Sequence, residues 1–403
     1  MEIITKPETE TLFSNGINRI PVSFIREILK VTADPEMISF AGGLPNPALF
    51  PVEEIKNATI EILQKEGGNI LQYAETEGFY PLREYIASRY QKRFNLEISP
   101  EEILITNGSQ QALDLIGKVF LNPGDRVLLE KPSYLGAIQS FSFYQPEFLT
   151  IPMENDGPDM EKLNESLSLN CPKFFYCIPN FQNPSGITYS DSKRKRISET
   201  VIKNNLLLVE DDPYGEINFS GENLPPLKSQ VGNRGILLGT FSKIVAPGLR
   251  LGWVVAEKSI IRQLVRAKQA SDLHSNNLSQ RVIYQYLLQH DLEDHLNKLR
   301  FNYEAQCTWM LSAIKKYFPK QISYTEPKGG MFIWGKLPKG YSAMDLANET
   351  IKEKVVFVPG NTFFVDGDGE NTFRLNFSNT DKATIEKGIK IMGAILDRFL
   401  EGD

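Results

Sequence analysis

One lysine in the chain has neighbours that suggest chemistry, in the stretch TFSKIVAPGLRLGW. Lys243 follows Ser242 and precedes a Pro-Gly turn, and Arg250 comes shortly after that turn. Most lysines are solvated charges on the protein surface. A lysine in a suitable environment can instead form a Schiff base with a carbonyl compound. The residues that surround Lys243 in the fold therefore decide between these two interpretations.

Short apolar runs alternate with helix-length segments from about residue 100 onward. This alternation is typical of βαβ units and a mostly parallel sheet. The runs are EILIT (102–106), RVLLE (126–130), KFFYCIP (173–179), LLLVE (206–210) and ILLGT (236–240). A further strand is predicted in LRLGWVVAE, and a helix in SQQALDLIGKVFL. Because ligands bind beyond the carboxyl ends of the strands in such sheets, the residues that follow each run are candidates for a site.

Polar or aromatic residues follow every one of these runs. The first run leads into a Gly-Ser turn and a helix N-terminus, which can bind an anion through free backbone N–H groups. In chain order the candidates are Ser109 and Gln110, Tyr134, Asn183, Asp211 and Tyr214, and Ser242 and Lys243. Each alone could be only a cap or a turn. Together they suit pyridoxal 5′-phosphate (PLP), which needs a lysine for its aldehyde, a carboxylate for its ring nitrogen and a phosphate site.

The chain resembles the fold-type I, class I/II PLP-dependent aminotransferases over nearly its whole length. The stretch TFSKIVAPGLRLGW resembles their lysine motif, SxSKxxxPGLRxG. The segments FIREILK, SFAGGLPNPALFP, QYAETEGFYPLR and EDDPYGE resemble the 2-aminoadipate subgroup, which includes kynurenine, aromatic and branched-chain aminotransferases. The resemblance implies an enzyme that moves the amino group of an L-amino acid to a 2-oxo acid, with 2-oxoglutarate as the expected acceptor.

The resemblance also implies a role for each residue around the cofactor. Lys243 would form the Schiff base and later move the proton between the substrate Cα and the cofactor. Asp211 would pair with the pyridine nitrogen, while Tyr214 and Asn183 would bond the phenolic oxygen. Tyr134 would stack on the ring. The phosphate would be bound by Ser109, Gln110, Thr240, Ser242 and Arg250.

Substrate binding is implied at several further positions, in addition to Asn183. Arg374, in FRLNFS, would bind the α-carboxylate of the substrate, and Gly43, in AGGLP, would approach it closely because glycine has no Cβ. Arg26 and Ser23 lie in PVSFIREILKV, a predicted helix whose arginine recognises a distal carboxylate in the resembled subgroup. A solvated Arg26 on a surface helix fits the sequence equally well.

A homodimer with shared active sites is the expected assembly. Tyr73, in LQYAETEG, would reach the phosphate bound by the neighbouring subunit. The expected fold is α/β: PLP-dependent transferase fold type I, with a mostly parallel mixed sheet in a large domain and a smaller α+β domain. We predict an N-terminal arm and lid helix over 1–50, a large PLP-binding domain over 51–290 and a small C-terminal domain over 291–403. A length of 403 residues favours such a division, since single cores rarely grow larger.

Composition argues against several other classes of function. The net charge of -6 disfavours nucleic-acid and membrane-surface binding, and the basic run KRKR (193–196) is expected to be a solvated helix face. Three cysteines without a CxxC pattern indicate a reducing cytoplasm and no metal site. No apolar run is long enough to predict a membrane span, and MEIITKPETE does not resemble a signal peptide.

Two alternative functions remain open from the residues. A PLP-dependent lyase or decarboxylase would use the same cofactor set. A transcription regulator with an aminotransferase-like domain would need a DNA-binding module of roughly 70 residues before FAGGLP. Only 39 residues precede Phe40, and they are not basic, so this alternative is disfavoured.

Overall fold

The structure is a computed structural model that describes residues 12–21, 34 and 36–401. Ser23, Arg26 and most of the predicted helix PVSFIREILKV lie outside the described residues. The described strands are β1 (Ile38–Ser39), β2 (Ile103–Thr106), β3 (Arg126–Lys131), β4 (Glu147–Glu154), β5 (Gly157–Pro158), β6 (Phe174–Cys177), β7 (Leu207–Asp211), β8 (Gly235–Thr240), β9 (Gly252–Val255), β10 (Ser323–Tyr324), β11 (Phe332–Lys336), β12 (Val355–Val356), β13 (Val358–Pro359) and β14 (Thr372–Asn376).

The α-helices include both long amphipathic helices and single turns. In chain order they are α1 (Asn15–Arg19), α2 (Val52–Glu66), α3 (Tyr80–Phe94), α4 (Ser109–Phe120), α5 (Leu135–Ser142), α6 (Met160–Leu169), α7 (Asp191–Lys203), α8 (Lys228–Val231), α9 (Lys258–Gln269), α10 (Asn277–Gln289), α11 (Leu292–Tyr317), α12 (Ala343–Lys352) and α13 (Lys382–Glu401). None of these helices is long and apolar enough to cross a membrane.

The larger sheet has eight strands in the order β2-β9-β8-β7-β6-β3-β4-β5. Strands β8, β7, β6, β3 and β4 are parallel, whereas β9 runs antiparallel to both β8 and β2. Every residue of β2, β6, β8 and β9 is buried. Strands covered on both faces read as continuous apolar runs. The six strands predicted between residues 102 and 257 and the helix predicted in SQQALDLIGKVFL are confirmed as β2, β3, β6, β7, β8, β9 and α4.

Strand direction brings the predicted site to one edge of this sheet. Because β9 is antiparallel to both its neighbours, β2 points the same way as β8. The carboxyl ends of β2, β3, β6, β7 and β8 consequently lie along the same edge. Each of these ends is followed by one of the candidate segments named above.

A second, antiparallel sheet follows later in the chain, in the order β10-β11-β14-β13. The N-terminal segment joins this part of the molecule: β1 pairs in parallel with β12, and the Asn376 N–H donates to the Phe40 carbonyl at 2.8 Å. This contact places the AGGLP loop beside β14, which carries Arg374. The domain boundaries given above stay a prediction.

One expectation about the surface is wrong. Lys193 and Arg194, in the KRKR run on α7, are buried, and only Lys195 and Arg196 are exposed. Arg194 is satisfied by the carbonyls of Pro179, Tyr189 and Pro225 and by the Asn180 side chain. Lys193 pairs with Glu154 and donates to the Pro158 carbonyl. Buried cations are tolerated when their donors are paired in this way.

Candidate active site

One cavity of about 270 Å³ gathers the site residues predicted from the sequence. It lies between the carboxyl edge of the larger sheet and strands β11 and β14. The predicted residues that line it are Gly43, Ser109, Gln110, Tyr134, Asn183, Asp211, Tyr214, Thr240, Ser242, Lys243, Arg250 and Arg374. Residues from both ends of the chain and from both sheets thus meet at a single site.

Lys243 lies inside this cavity just beyond the end of β8. Its Nζ donates a hydrogen bond to the Gly43 carbonyl at 2.7 Å. Burial, together with the positive charges of Arg374 and then Arg250, lowers the pKa of Lys243 to about 8. A minority of this amine is therefore neutral and nucleophilic near physiological pH, but far more of it than of an ordinary lysine.

Asp211 ends strand β7 and forms the floor of the cavity. Its Oδ2 accepts a hydrogen bond from the Tyr176 hydroxyl at 2.9 Å, whereas its buried Oδ1 has no partner among the described residues. Burial raises the pKa of Asp211 to about 7, opposed by the Tyr176 hydrogen bond and helped by the nearby charge of Asp212. An unpartnered buried carboxylate oxygen is costly unless a donor reaches it. A protonated ring nitrogen would supply such a donor.

One end of the cavity is built as an anion site. Gly108 has φ 77°, and a Cβ there would lie 2.7 Å from Nη2 of Arg250. Ser109 begins helix α4, and no side chain caps this N-terminus. The N-terminal N–H groups of a helix and a guanidinium together favour a phosphate. Opposite them, the Thr240 hydroxyl contacts the Ser242 hydroxyl and backbone N–H, both at 3.0 Å.

Gln110 and Tyr134 form one wall near this anion site. The Gln110 amide donates to the Gly136 carbonyl at 2.8 Å and to the Ser140 hydroxyl at 2.7 Å. Its side-chain donors are therefore occupied, which leaves its backbone N–H at the start of α4 as its means of binding an anion. Burial raises the pKa of Tyr134 to about 12, so the ring stays neutral.

The opposite end of the cavity is built around Arg374 on β14. This side chain is 3% exposed. Its Nη1 donates to Asn183 Oδ1 at 2.7 Å and its Nη2 to the Ala41 carbonyl at 2.6 Å, while Nε has no partner among the described residues. The guanidinium lies 4.3 Å from the ring centre of Phe332. Burial lowers the pKa of Arg374 to about 10, so the group is still a cation at neutral pH and suits a carboxylate.

Tyr214 also lines the cavity and contacts Phe332, the ring beside Arg374. Its ring meets Phe332 edge to face, with the centroids 5.9 Å apart. Burial raises the pKa of Tyr214, as do the neighbouring Tyr134 and Asp211, while Arg374 and the Asn183 amide oppose the rise. The hydroxyl is consequently a neutral donor at physiological pH.

Sequence reasoning missed several residues of the site. Tyr176 holds Asp211, but it lies inside an apolar strand run and reads there as core. Phe332, Ile178 and Pro213 also line the cavity. Ile178 could have been found, because it lies at the carboxyl end of a predicted strand. The place of Phe332 in the site could not be predicted, since nothing in the sequence indicates that β11 pairs with β14.

One predicted site residue among those the structure describes, Tyr73, does not line the cavity of its own subunit. Tyr73 is 77% exposed and packs edge to face on His274 at 5.8 Å, away from the lining of the cavity. Ser23 and Arg26 lie outside the described residues. Within the described part of the chain, no cluster of three or more His, Cys, Asp or Glu side chains could hold a metal ion.

A model of the family described as aminotransferase class I and II matches residues 36–392. The chain belongs to this family. It is 45% identical over 392 residues to a 2-aminoadipate transaminase of Thermus thermophilus, a match that covers 96% of this chain and 97% of that protein. It is 42% identical over 387 residues to aromatic-amino-acid aminotransferase 1 of Thermococcus litoralis, covering 94% and 93% respectively. These class I and II relatives confirm the predicted family and enzyme class.

The fold of the aminotransferase is confirmed by a solved structure. An α-aminoadipate aminotransferase of Thermus thermophilus, complexed with N-(5′-phosphopyridoxyl)-L-leucine, superposes with a TM-score of 0.92 at 44% identity and covers 98% of this chain and 100% of that one. The chain is therefore a PLP-dependent amino-acid aminotransferase of fold type I.

The residues of the cavity fit this cofactor on their own geometry. A partly neutral lysine, an unpartnered buried carboxylate oxygen and an anion site lie around one space, as an aldehyde, a ring nitrogen and a phosphate require. Glycine at position 136 lets the Tyr134 ring pack closely against the start of α5, because a Cβ there would come within 2.6 Å of the ring.

Proposed function

We propose that this aminotransferase takes 2-aminoadipate, aromatic and branched-chain L-amino acids as donors and 2-oxoglutarate as acceptor. The observation that carries the proposal is that a buried arginine, an anion site and Lys243 line one cavity, where the charges of both Arg374 and Arg250 act on Lys243. The 2-aminoadipate and aromatic relatives, and the leucine adduct in the superposed structure, support the range of donors.

Arg374 binds the substrate α-carboxylate in this proposal. Its Nε is unpartnered, and its other donors are shared with an amide and a carbonyl rather than with a competing carboxylate. A guanidinium fixes a carboxylate through paired hydrogen bonds. Gly43 keeps this end open, because a Cβ there would lie 3.0 Å from Phe332.

Lys243 moves the proton at the substrate Cα. PLP, when bound, supplies an electron sink for the negative charge that this proton leaves behind. A neutral Nζ can accept the Cα proton, and the lowered pKa of Lys243 makes the neutral form accessible. With PLP bound, the Asp211 carboxylate would keep the ring nitrogen protonated. Tyr214 and Asn183 would donate hydrogen bonds to the phenolic oxygen.

Several parts of the proposal lie outside the cavity. We propose a homodimer in which Tyr73 of one subunit approaches the phosphate site of the other. Exposed apolar side chains near Tyr73, Leu71 at 67% and Leu273 at 53%, support a contact surface there.

The domain division at about residues 50 and 290 and a cytoplasmic location rest on the sequence pattern alone. Arg26 and Ser23 are proposed to recognise the distal end of the substrate.

Half-reactions on the PLP-loaded protein test the substrates directly. Adding 2-aminoadipate, leucine or an aromatic amino acid should bleach the visible absorbance of the bound cofactor, and 2-oxoglutarate should restore it. Bleaching by alanine or ornithine alone, or restoration only by other 2-oxo acids, would contradict the proposed substrates.

Arg26→Ala should slow the reaction with 2-aminoadipate and leave the rate with leucine unchanged. Equal rates with 2-aminoadipate in Arg26→Ala and the wild type would remove Arg26 from the proposal.

A further inference from the structure

A buried ion pair outside the cavity lining stabilises the turn at the start of the anion site. This turn runs from Asn107 to Ser109, between β2 and α4. The Asn107 side-chain amide donates to Asp272 Oδ2 at 2.6 Å, and so does the Gln111 side-chain amide, also at 2.6 Å. Lys268 Nζ donates to both oxygens of Asp272 at 2.9 Å. The Asp272 carboxylate thus links three segments by hydrogen bonds: the loop after β2, the N-terminal part of α4 and the C-terminal end of α9.

Gln111 closes the network from the helix side. Its Oε1 accepts from the Asn107 backbone N–H at 2.8 Å and from Lys268 Nζ at 2.7 Å. The backbone of the turn is therefore fixed through Asn107 at its N–H as well as at its side chain. None of these four residues lines the cavity. They act on it only through the position of the turn.

The pair is placed where charge is costly. The Lys268 side chain is fully buried and that of Asp272 is 25% exposed. Burial lowers the pKa of Lys268, and Asp272 opposes this shift. A buried ion pair adds little net stability, but removing one member leaves an unpaired charge. Such a pair can fix one local geometry among several, and here the geometry concerned is that of the anion site.

The network also reaches the arginine of the anion site. The Asn107 carbonyl accepts a hydrogen bond from Arg250 Nη2 at 3.2 Å. Arg250 itself has φ 53°, an uncommon conformation for a residue other than glycine. Holding Asn107 therefore holds two donors of the site together, the N-terminus of α4 and the Arg250 guanidinium.

We propose that Lys268 and Asp272 are positioning residues that set the affinity of the site for the phosphate of the cofactor, acting through Asn107 and Gln111. This inference rests on the proposed role of Ser109 and Arg250 as phosphate ligands. The network contributes to binding of the phosphate only. The other attachments of PLP, at Lys243 and Asp211, do not depend on it.

The test compares PLP with pyridoxal, which lacks the phosphate. Apoprotein is prepared from the full-length holoenzyme, and the dissociation constants of both compounds are measured from the visible absorbance on binding. Their ratio reports the contribution of the phosphate. Asp272→Asn keeps the shape of the side chain but removes the charge that strengthens its three hydrogen-bonded contacts. We expect the preference for PLP over pyridoxal to fall by about tenfold, with pyridoxal affinity unchanged.

Two further variants complete the test. Asn107→Ala removes the link between the turn and Asp272 and should cause the same selective loss. Glu293→Gln is the matched control, because Glu293 is also a partly exposed carboxylate, paired with Arg89 at 2.7 Å and Arg300 at 3.1 Å, but lies away from the cavity. It should leave the preference unchanged.

The outcomes separate this inference from the proposed phosphate site. An unchanged preference in Asp272→Asn and Asn107→Ala would overturn the positioning role. So would a parallel loss of PLP and pyridoxal affinity, since that is the signature of general destabilisation. If the wild type itself bound PLP no better than pyridoxal, the phosphate site would be wrong, whatever the variants did.

Discussion

The two ends of the cavity bind anions in different ways. At one end Arg374 is buried, lies against the Phe332 ring and donates to one amide and one carbonyl. At the other end Arg250 is exposed, and the site is completed by a glycine turn and a helix N-terminus. A substrate carboxylate must bind and leave in every turnover, whereas a cofactor phosphate stays. A single desolvated cation suits the first task, and many distributed donors suit the second.

Removing Arg374 should impair binding of the substrate carboxylate and spare binding of the cofactor. Arg374→Ala deletes the guanidinium there, and we expect kcat/KM to fall by about a hundredfold to a thousandfold. Binding of PLP should change little. Steady-state kinetics and titration with PLP measure the two effects separately. Equal losses in both would mean that the two ends are not independent.

Removing Arg250 should have a smaller effect at the cofactor end, because the N-terminus of α4 and the Thr240 and Ser242 hydroxyls remain. Arg250→Ala should weaken PLP binding by roughly tenfold to a hundredfold. The KM for the amino acid at saturating PLP should stay the same. Arg196→Ala, at an exposed arginine outside the cavity, is the control. A change in amino-acid KM as large as that in PLP affinity would contradict the division of labour.

The pH dependence of the reaction between Lys243 and pyridoxal should report how strongly each of the two arginines acts on this lysine. Since its pKa is lowered to about 8, attachment of pyridoxal to the apoprotein should slow about tenfold per pH unit below pH 8 and level off above it. Rates measured between pH 6 and 10 test this. An ordinary lysine would still gain rate beyond pH 9. Because the charge of Arg374 lowers this pKa more than that of Arg250, Arg374→Ala should move the midpoint upward further than Arg250→Ala.

The smallest expected effect concerns space at the substrate end. Gly43→Ala adds a Cβ 3.0 Å from Phe332, so the ring must shift slightly. We expect KM for the amino acid to rise about threefold to tenfold, since the contact is a modest overlap in a packed site. Gly68→Ala is a matched control, because a Cβ at Gly68 meets no atom within 4 Å. Equal KM values in the two variants would remove close packing at Gly43 from the account.

The sequence predicted the part of the site that depends on strand order in the chain. Asp211 and Lys243 each follow an apolar run, and the carboxyl ends of parallel strands meet at one edge. Arg374 and Gly43 came only from the resemblance, because their place depends on how two sheets pack. Strand β4 was missed, since Thr150 and Pro152 interrupt its apolar run and most of its residues are half-exposed or exposed.

Contacts between side chains distant in sequence were beyond prediction. Asn107 and Asp272 are 165 residues apart, and the local sequence around one does not indicate contact with the other. Lys193 and Arg194 were expected to be solvated because charged residues on a helix usually are. Their burial depends on carbonyls of the 179–189 loop and on residues 154–158, whose approach the local pattern does not encode.

We propose that Lys243 is the residue to which the cofactor is attached. Borohydride reduction of the PLP-loaded protein, followed by peptide mass analysis, tests it directly. We expect a pyridoxyl group on the peptide that contains Lys243, and no visible cofactor absorbance or label in Lys243→Ala. A label on another lysine, or an unaltered spectrum in Lys243→Ala, would contradict it.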